Sequence, residues 1–385
     1  MIEYVKIDGY KCLEDSTINC SNLTVLVGPN ASGKSSVLQC QLLLRQSADK
    51  AGMINELHLS GPLYEAGTAQ DALHPASEHR IKIELKADDG VTKFSFRHDR
   101  NDESAAPKRI LVAEPPTTLP RILHSKDRGF CYLNAERTGP RVSYPLPPDE
   151  SHLSGLVGKH GEYTAAILAR AANGVQIDGW NDGLADLLSA PAAQLDGIEF
   201  HEDMKNTSGR LDLVCNQLLG WVIPGAVFQT AENDLADAAT LRFVRDPLNT
   251  KTSVRATHVG FGLAYTLPII TAALALRQNG LLLVENPEAH LHPFSQSRMG
   301  VFLGMVAATG RQIFVETHSD HVINGIRLAV RHGFLKPEDT RINVFSRTLG
   351  VDTASITSVE VNDMGRLTPW PDGFFDQIEN DLTKL

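Results

Sequence analysis

Eight consecutive residues, Gly28–Pro29–Asn30–Ala31–Ser32–Gly33–Lys34–Ser35, follow the spacing GxxxxGK[ST]. The chemistry of that spacing is phosphate binding. Glycines let the main chain curl so that successive N–H groups face a phosphate, and a helix starting at the end of the loop adds the positive end of its dipole. Lys34 has the reach for the β- and γ-phosphates, Ser35 has the hydroxyl that ligates Mg2+, and Ser36 closes the binding stretch. Such a loop works only between a buried strand and a helix. Leu23–Thr24–Val25–Leu26–Val27 is an apolar, partly β-branched run of that strand type, and Ser35 to Ser47 reads as the helix.

A second constellation starts at Leu281–Leu282–Leu283–Val284–Glu285, an apolar strand ending in a carboxylate that can hold Mg2+ or its water. Ser35 and Glu285 are therefore the expected metal ligands. A hydrolytic phosphate-loop protein of this kind usually has a carboxylate next in line to orient the attacking water, and here Asn286 stands there. An amide oxygen can position water but takes up no proton at neutral pH. Either Glu288, two residues further on, polarises the water, or hydrolysis is slow. The strand Gln312 to Glu316 leads into Thr317–His318–Ser319–Asp320, which puts His318 at the carboxyl edge of a sheet, where ligands of open α/β folds collect. His318 could donate to a γ-phosphate and sense its presence. A rival reading takes His290, His292, His318 and His321 as ligands of a transition metal.

Two further features leave alternatives open. Arg137, after the strand-like run ending at Leu133, could reach a phosphate bidentately or pair with Glu136 or another neighbour. Trp370 with Phe374–Phe375 forms an aromatic cluster that either packs on the body of the protein or docks a partner.

These residues need elements to hold them. Loosely alternating sequence from Tyr4 to Leu13 precedes the first strand, and Ile81–Leu85 and Thr92–Phe96 flank Asp88–Asp89–Gly90, a hairpin signal. Beyond Pro145–Pro148 the stretches Glu162–Ala172 and Leu184–Leu188 look helical. The last third alternates: a helix from about Leu263 to Leu276, a strand over 281–284, a helix near Gln296–Ala308, a strand over 312–316 and a helix over Val322–Arg331. That alternation implies a largely parallel sheet. The expected architecture is an α/β phosphate-loop NTPase head interrupted by a long α+β insertion. Its segments are 1–50 with the phosphate loop, 51–255 as insertion or lid, 256–350 as the second half of the head, and 351–385 as a tail.

With 385 residues, 42% of them hydrophobic and 21% charged, the chain can bury one elaborated core or two. Lysine and arginine total 36 against 46 acidic residues, a net charge of −10, so one broad DNA-binding surface is disfavoured and only local basic patches are expected. The longest apolar run, Tyr265–Leu276, falls short of the roughly 20 residues that cross a bilayer, and Met1–Ile2–Glu3–Tyr4 does not open a signal sequence. The expectation is a cytoplasmic protein with no membrane contact. Five scattered cysteines, none in a CxxC pair, are expected as reduced thiols, mostly buried.

Together, Gly28–Ser35, the run Glu285–Asn286–Pro287–Glu288–Ala289–His290–Leu291–His292–Pro293, and Glu316–Thr317–His318–Ser319 resemble the ABC-type AAA ATPases related to recombination, chromosome-maintenance and OLD proteins. The bacterial subgroup ending in WPxGFFD is the nearest likeness, matched by Trp370–Pro371–Asp372–Gly373–Phe374–Phe375–Asp376; the middle is covered only by Leu133–Asn134–Ala135–Glu136–Arg137 and Gly158–Lys159–His160–Gly161–Glu162. The resemblance implies ATP and Mg2+ as cofactors and a homodimer sandwiching two nucleotides. It also implies that Val259–Gly260–Phe261–Gly262–Leu263 serves as the signature loop, with Gly260, Phe261 and Gly262 offered to the other subunit's γ-phosphate. Gly260 stands where a serine is common. Fewer than about 70 residues follow His318, too few for the TOPRIM nuclease domain of OLD proteins by ordinary domain sizes. The expected function is thus an ATP-driven switch that controls a separate effector, such as a nuclease or toxin, in bacterial anti-phage defence, with DNA contacted only through the assembly. The alternatives are a non-hydrolysing scaffold that needs nucleotide to assemble, a DNA-repair-type ATPase, and a metal-dependent nuclease acting alone.

Overall fold

The structure is a computed structural model that describes residues 1–98, 110–124, 129–148, 155–177, 210–244, 252–347, 351–368 and 383. The helical stretch expected over 184–188 and the aromatic tail 370–376 lie outside the described residues. The chain forms two compact units, one made of Met1–His124, Glu316–Asp320 and Lys336–Leu385, the other of Ser125–Val315 and His321–Leu335. The stretch 51–255 is divided between them.

The first unit begins with β1 (Ile2–Asp8), β2 (Ser16–Asn19) and β3 (Leu23–Val27). All five residues of β3 are buried, as its apolar run requires, and the chain then enters α1 (Lys34–Ser47). Next come β4 (Met53–His58), the one-turn α2 (Ala69–Ala72), β5 (Arg80–Ala87), β6 (Gly90–Arg97), β7 (Ile110–Thr118) and the one-turn α3 (Arg121–His124). An antiparallel sheet runs β2-β1-β5-β6-β7-β4. Its expected hairpin is present: Ala87 pairs with Gly90 across Asp88–Asp89, and Ile81, Ile83 and Leu85 point inward at every second position. On the other face Glu114 accepts from Arg80 at 2.9 Å and from Arg97 at 2.8 Å, and the two arginines hold its carboxyl below the usual range.

A second layer of this unit pairs β3 in parallel with β15 (Thr340–Ser346), which continues antiparallel to β16 (Ser355–Val361) and β17 (Leu367–Thr368). Helix α1 lies against β4, and Gln46 ties the connection down: its amide donates to the His58 and Tyr64 carbonyls at 2.8 and 3.1 Å. Arg45, buried, donates to the Leu123 carbonyl.

The second unit holds β8 (Phe130–Leu133) beside β13 (Leu281–Glu285), in parallel register, with β14 (Gln312–Thr317) on the other side of β13. The unit boundary falls within β14, between Val315 and Glu316. A small antiparallel sheet joins β9 (Tyr144–Pro145), β10 (Phe228–Asn233), β11 (Ala238–Val244) and β12 (Ser253–Arg255). Among the described residues five helices complete it: α4 (Thr164–Ala172), α5 (Leu211–Val222), α6 (Phe261–Ala275), α7 (Pro293–Ala307) and α8 (Asp320–Arg331).

Helix α6 is apolar on all sides and buried from Thr266 to Ala275. Pro268 lies inside it, so the helix neither starts nor stops there; Thr271 bonds back to the Leu267 carbonyl at 2.9 Å, and Gly161 leaves room for the proline ring, since a Cβ on Gly161 would lie 2.5 Å from it. Helices α7 and α8 touch main chain to main chain. A Cβ on Gly300 would lie 2.1 Å from the Val322 carbonyl oxygen, and one on Gly325 would lie 1.9 Å from that of Ser297. The five cysteines are free thiols, with Cys40, Cys131 and Cys215 buried.

Candidate functional site

Two clusters emerge, one in each unit. In the first, β3 delivers the chain into the phosphate loop and α1 takes it out. The loop has φ of +145° at Gly28, +59° at Ala31 and +102° at Gly33. Gly28 is needed for space as well as conformation, because a Cβ there would sit 2.2 Å from the Phe345 carbonyl oxygen of β15. Lys34 is 3% exposed, and its ammonium donates to the Pro29 carbonyl at 2.7 Å; the Ser32 hydroxyl donates to the same oxygen at 2.9 Å. The start of α1 has no side-chain cap and no acidic residue of its own in its first turn, so the positive end of its dipole faces the loop. An anion is the natural complement to such a cradle.

Ser35 Oγ donates to Glu316 Oε1 at 2.7 Å. Glu316 is 5% exposed at the end of β14, and His318, two residues on, is exposed. The hydroxyl and carboxylate oxygens are hard donors that suit Mg2+. Sequence reasoning quoted Glu316 without giving it a role. The signal was available, since β14, like β13, is an apolar strand ending in a glutamate.

The second cluster surrounds Glu285. Its carboxylate accepts from the Tyr132 hydroxyl of β8 at 2.9 Å and from the Ala135 N–H at 3.2 Å. Burial raises its pKa, with those two bonds and the charge of Arg137 acting in the opposite direction. Asn286 has φ of +44°, and its side-chain oxygen is buried with no hydrogen-bond partner. The turn that follows is closed by Ala289 N–H on the Asn286 carbonyl and Leu291 N–H on that of Glu288, at 3.1 and 3.0 Å. His292 caps α7, its ring nitrogen accepting from the Phe294 N–H at 3.4 Å, with Pro293 in the first turn. Among the described residues no three metal-ligating side chains of the His, Cys, Asp and Glu types gather.

Arg137 is engaged with main-chain carbonyls. It is 3% exposed, and its guanidinium donates to the carbonyls of Asn134 at 3.1 Å, Glu285 at 2.7 Å and Asn286 at 2.5 Å. Burial pulls its pKa down to about 10, against the opposing charges of Glu288 and Glu285. The two middle segments meet here: Asn134 and Thr138 donate from their N–H groups to the carbonyls of Lys159 and His160, at 3.0 and 2.7 Å.

Gly260 is the N-cap of α6, exposed, with open space around it, while Phe261 is 51% exposed. Gly262 is pressed against the loop after β13, where a Cβ would lie 2.7 Å from the His290 carbonyl oxygen. Phe261 and Tyr265 both contact the His290 ring, at centroid distances of 5.2 and 4.8 Å, and the Arg137 guanidinium lies over Tyr265 at 5.3 Å. Helix α6 and the loop behind Glu285 are thereby one packed body.

This geometry is that of an α/β phosphate-loop NTPase with an ABC-like head. Residues 1–108 match the model of an AAA ATPase domain, residues 190–324 that of "AAA domain, putative AbiEii toxin, Type IV TA system", and residues 335–385 that of a protein of unknown function (DUF3696). Among solved structures, an SMC head bound to the C-terminal winged-helix domain of ScpA matches with a TM-score of 0.52 at 13% identity, covering 94% of this chain and 98% of that one. The Pyrococcus furiosus SMC head with an extended coiled coil, bound to the C-terminal domain of ScpA, matches with a TM-score of 0.51 at 11% identity over 100% of this chain and 98% of that one. The SMC head from Pyrococcus yayanosii with a coiled coil and joint gives 0.52 at 10% identity over 93% and 97%. No curated protein matches the chain. The fold therefore resembles that of SMC heads, and two separate segments of the sequence match models of AAA ATPase domains. No helix among the described residues is long and apolar enough to cross a membrane.

Proposed function

We propose that the protein is an ATP-dependent molecular switch that closes as a homodimer around two nucleotides and controls a partner effector. The observation that carries this reading is the phosphate loop itself, with Lys34 buried over the Pro29 carbonyl and an uncapped helix start facing the same space. A nucleotide's phosphates would draw the Lys34 ammonium off that carbonyl and accept from N–H groups of the loop. Ser35 and Glu285 are proposed as Mg2+ ligands, and the contact between Ser35 and Glu316 adds Glu316 to that set. When bound, Mg2+ neutralises charge on the β- and γ-phosphate oxygens. His318, exposed, is proposed to sense the γ-phosphate, and Gly260, Phe261 and Gly262 to be presented to the nucleotide of the other subunit. Asn286 and Glu288 share the water-orienting role, Glu288 being the carboxylate that can take up a proton.

The effector is proposed to be a nuclease or toxin, in a defence system of bacteria against phage. The toxin and toxin–antitoxin terms in the matched family's description support that setting, and the ScpA domain bound to the similar SMC heads supports a protein partner. A nucleotide-dependent scaffold that does not hydrolyse is the second reading, favoured by Asn286, whose amide cannot act as base.

Phosphate release separates the two. Turnover of ATP to ADP and phosphate by the native protein, lost in Lys34→Ala and cut about 100-fold in Glu288→Gln, is the result of the switch reading. Native turnover no higher than that of Lys34→Ala contradicts it and leaves the scaffold.

A further inference from the structure

We propose that Arg137 is a positioning residue for ATP hydrolysis: its guanidinium locks the main chain at Glu285 and Asn286 and joins that segment to the start of α6. The inference rests on the hydrolytic reading above and adds a device to it.

Four observations carry it. Arg137 is buried with a planar fork of donors, and three carbonyls, those of Asn134, Glu285 and Asn286, receive them. A planar guanidinium can span two successive carbonyls; an ammonium, a point donor without that fork, cannot hold both in the same geometry. Next, Asn286 is held at φ +44°, a conformation L residues seldom adopt, and its carbonyl receives both Arg137 and the Ala289 N–H. The lock thus sits on the peptide whose conformation sets where Glu285 and Asn286 point. Third, the Arg137 Nε and the Asn286 side-chain oxygen are buried without hydrogen-bond partners, so the segment retains polar capacity beside its main-chain contacts. Fourth, the guanidinium lies over the Tyr265 ring, which meets His290 edge to face at 4.8 Å. Arg137 therefore touches both the strand end bearing Glu285 and the first turns of α6, where Gly260–Gly262 lie. It acts only through the groups proposed to contact the nucleotide.

The test compares Arg137→Ala, Arg137→Lys and the native full-length protein by phosphate release, by affinity for a fluorescent ATP analogue, and by thermal melting. The expected result is a fall in kcat of about 10–100-fold, the usual cost of removing a supporting contact, with analogue affinity within about twofold of native because the phosphate loop is untouched. Guanidinium ion at millimolar concentration should restore turnover in Arg137→Ala, and methylammonium should not. Arg137→Lys should stay low despite keeping the charge. Full turnover in either variant overturns the inference, as does equal rescue by both cations. Should Arg137→Ala fail to fold, Arg137→Lys and Arg137→Gln carry the same kcat comparison. Absence of turnover in the native protein removes the hydrolytic reading and this inference together, whereas native turnover matched by the variants removes only the inference.

Discussion

At the residue scale, the contact that most changes the assignment of roles is that between Ser35 and Glu316. A serine hydroxyl at the end of a phosphate loop donating to a buried carboxyl brings together two oxygens of the kind Mg2+ takes, which is why Glu316 is proposed beside Ser35 as a ligand whose ionised form would supply charge. Glu316→Gln keeps the size and can keep the hydrogen bond while removing that charge. The expected outcome is a rise of about 10-fold in the Mg2+ concentration that half-saturates nucleotide binding, read by titrating Mg2+ against a fluorescent ATP analogue, with an unchanged midpoint as the contrary result. Spacing alone could show neither this pair nor the Arg137 contacts. Ser35 and Glu316 are 281 positions apart, and Arg137 reaches Glu285 across 148, so only the folded sheet brings them together. The phosphate loop was legible because its signal is local: glycines where φ is positive, an apolar strand before it and a helix after it.

At the scale of elements, periodicity and turn chemistry read well wherever a segment is strongly patterned. The β5–β6 hairpin, the buried strands β3 and β13 and helix α6 stand where apolar runs and the Asp-Asp-Gly signal put them. What patterning could not show is how closely helices approach. Gly300 and Gly325 look like helix-weakening residues in the sequence, yet they are what allows α7 and α8 to meet main chain to main chain. Gly325→Ala puts a methyl group within 1.9 Å of the Ser297 carbonyl oxygen, and overpacking of this kind costs at least about 1–3 kcal/mol. A lower melting temperature for Gly325→Ala is expected, measured against Gly260→Ala, where a methyl meets nothing within 4 Å and φ is −65°. Equal melting temperatures would contradict the helix crossing.

At the scale of the whole molecule, a net charge of −10 disfavours a chain that grips DNA along one broad basic face. The residues proposed for the site fall in both units. The phosphate cradle, Glu316 and His318 belong to one, and Glu285, Arg137 and the glycines at the start of α6 belong to the other. The proposed switch needs ATP to change how copies of the chain associate. The most direct measurement is the molar mass in solution, by sedimentation velocity, of the native protein and of Lys34→Ala, each with and without ATP and Mg2+. The account predicts a mass for the native protein that doubles on adding ATP and Mg2+, and no change for Lys34→Ala. A native mass that does not respond to ATP, or a response that survives Lys34→Ala, contradicts it.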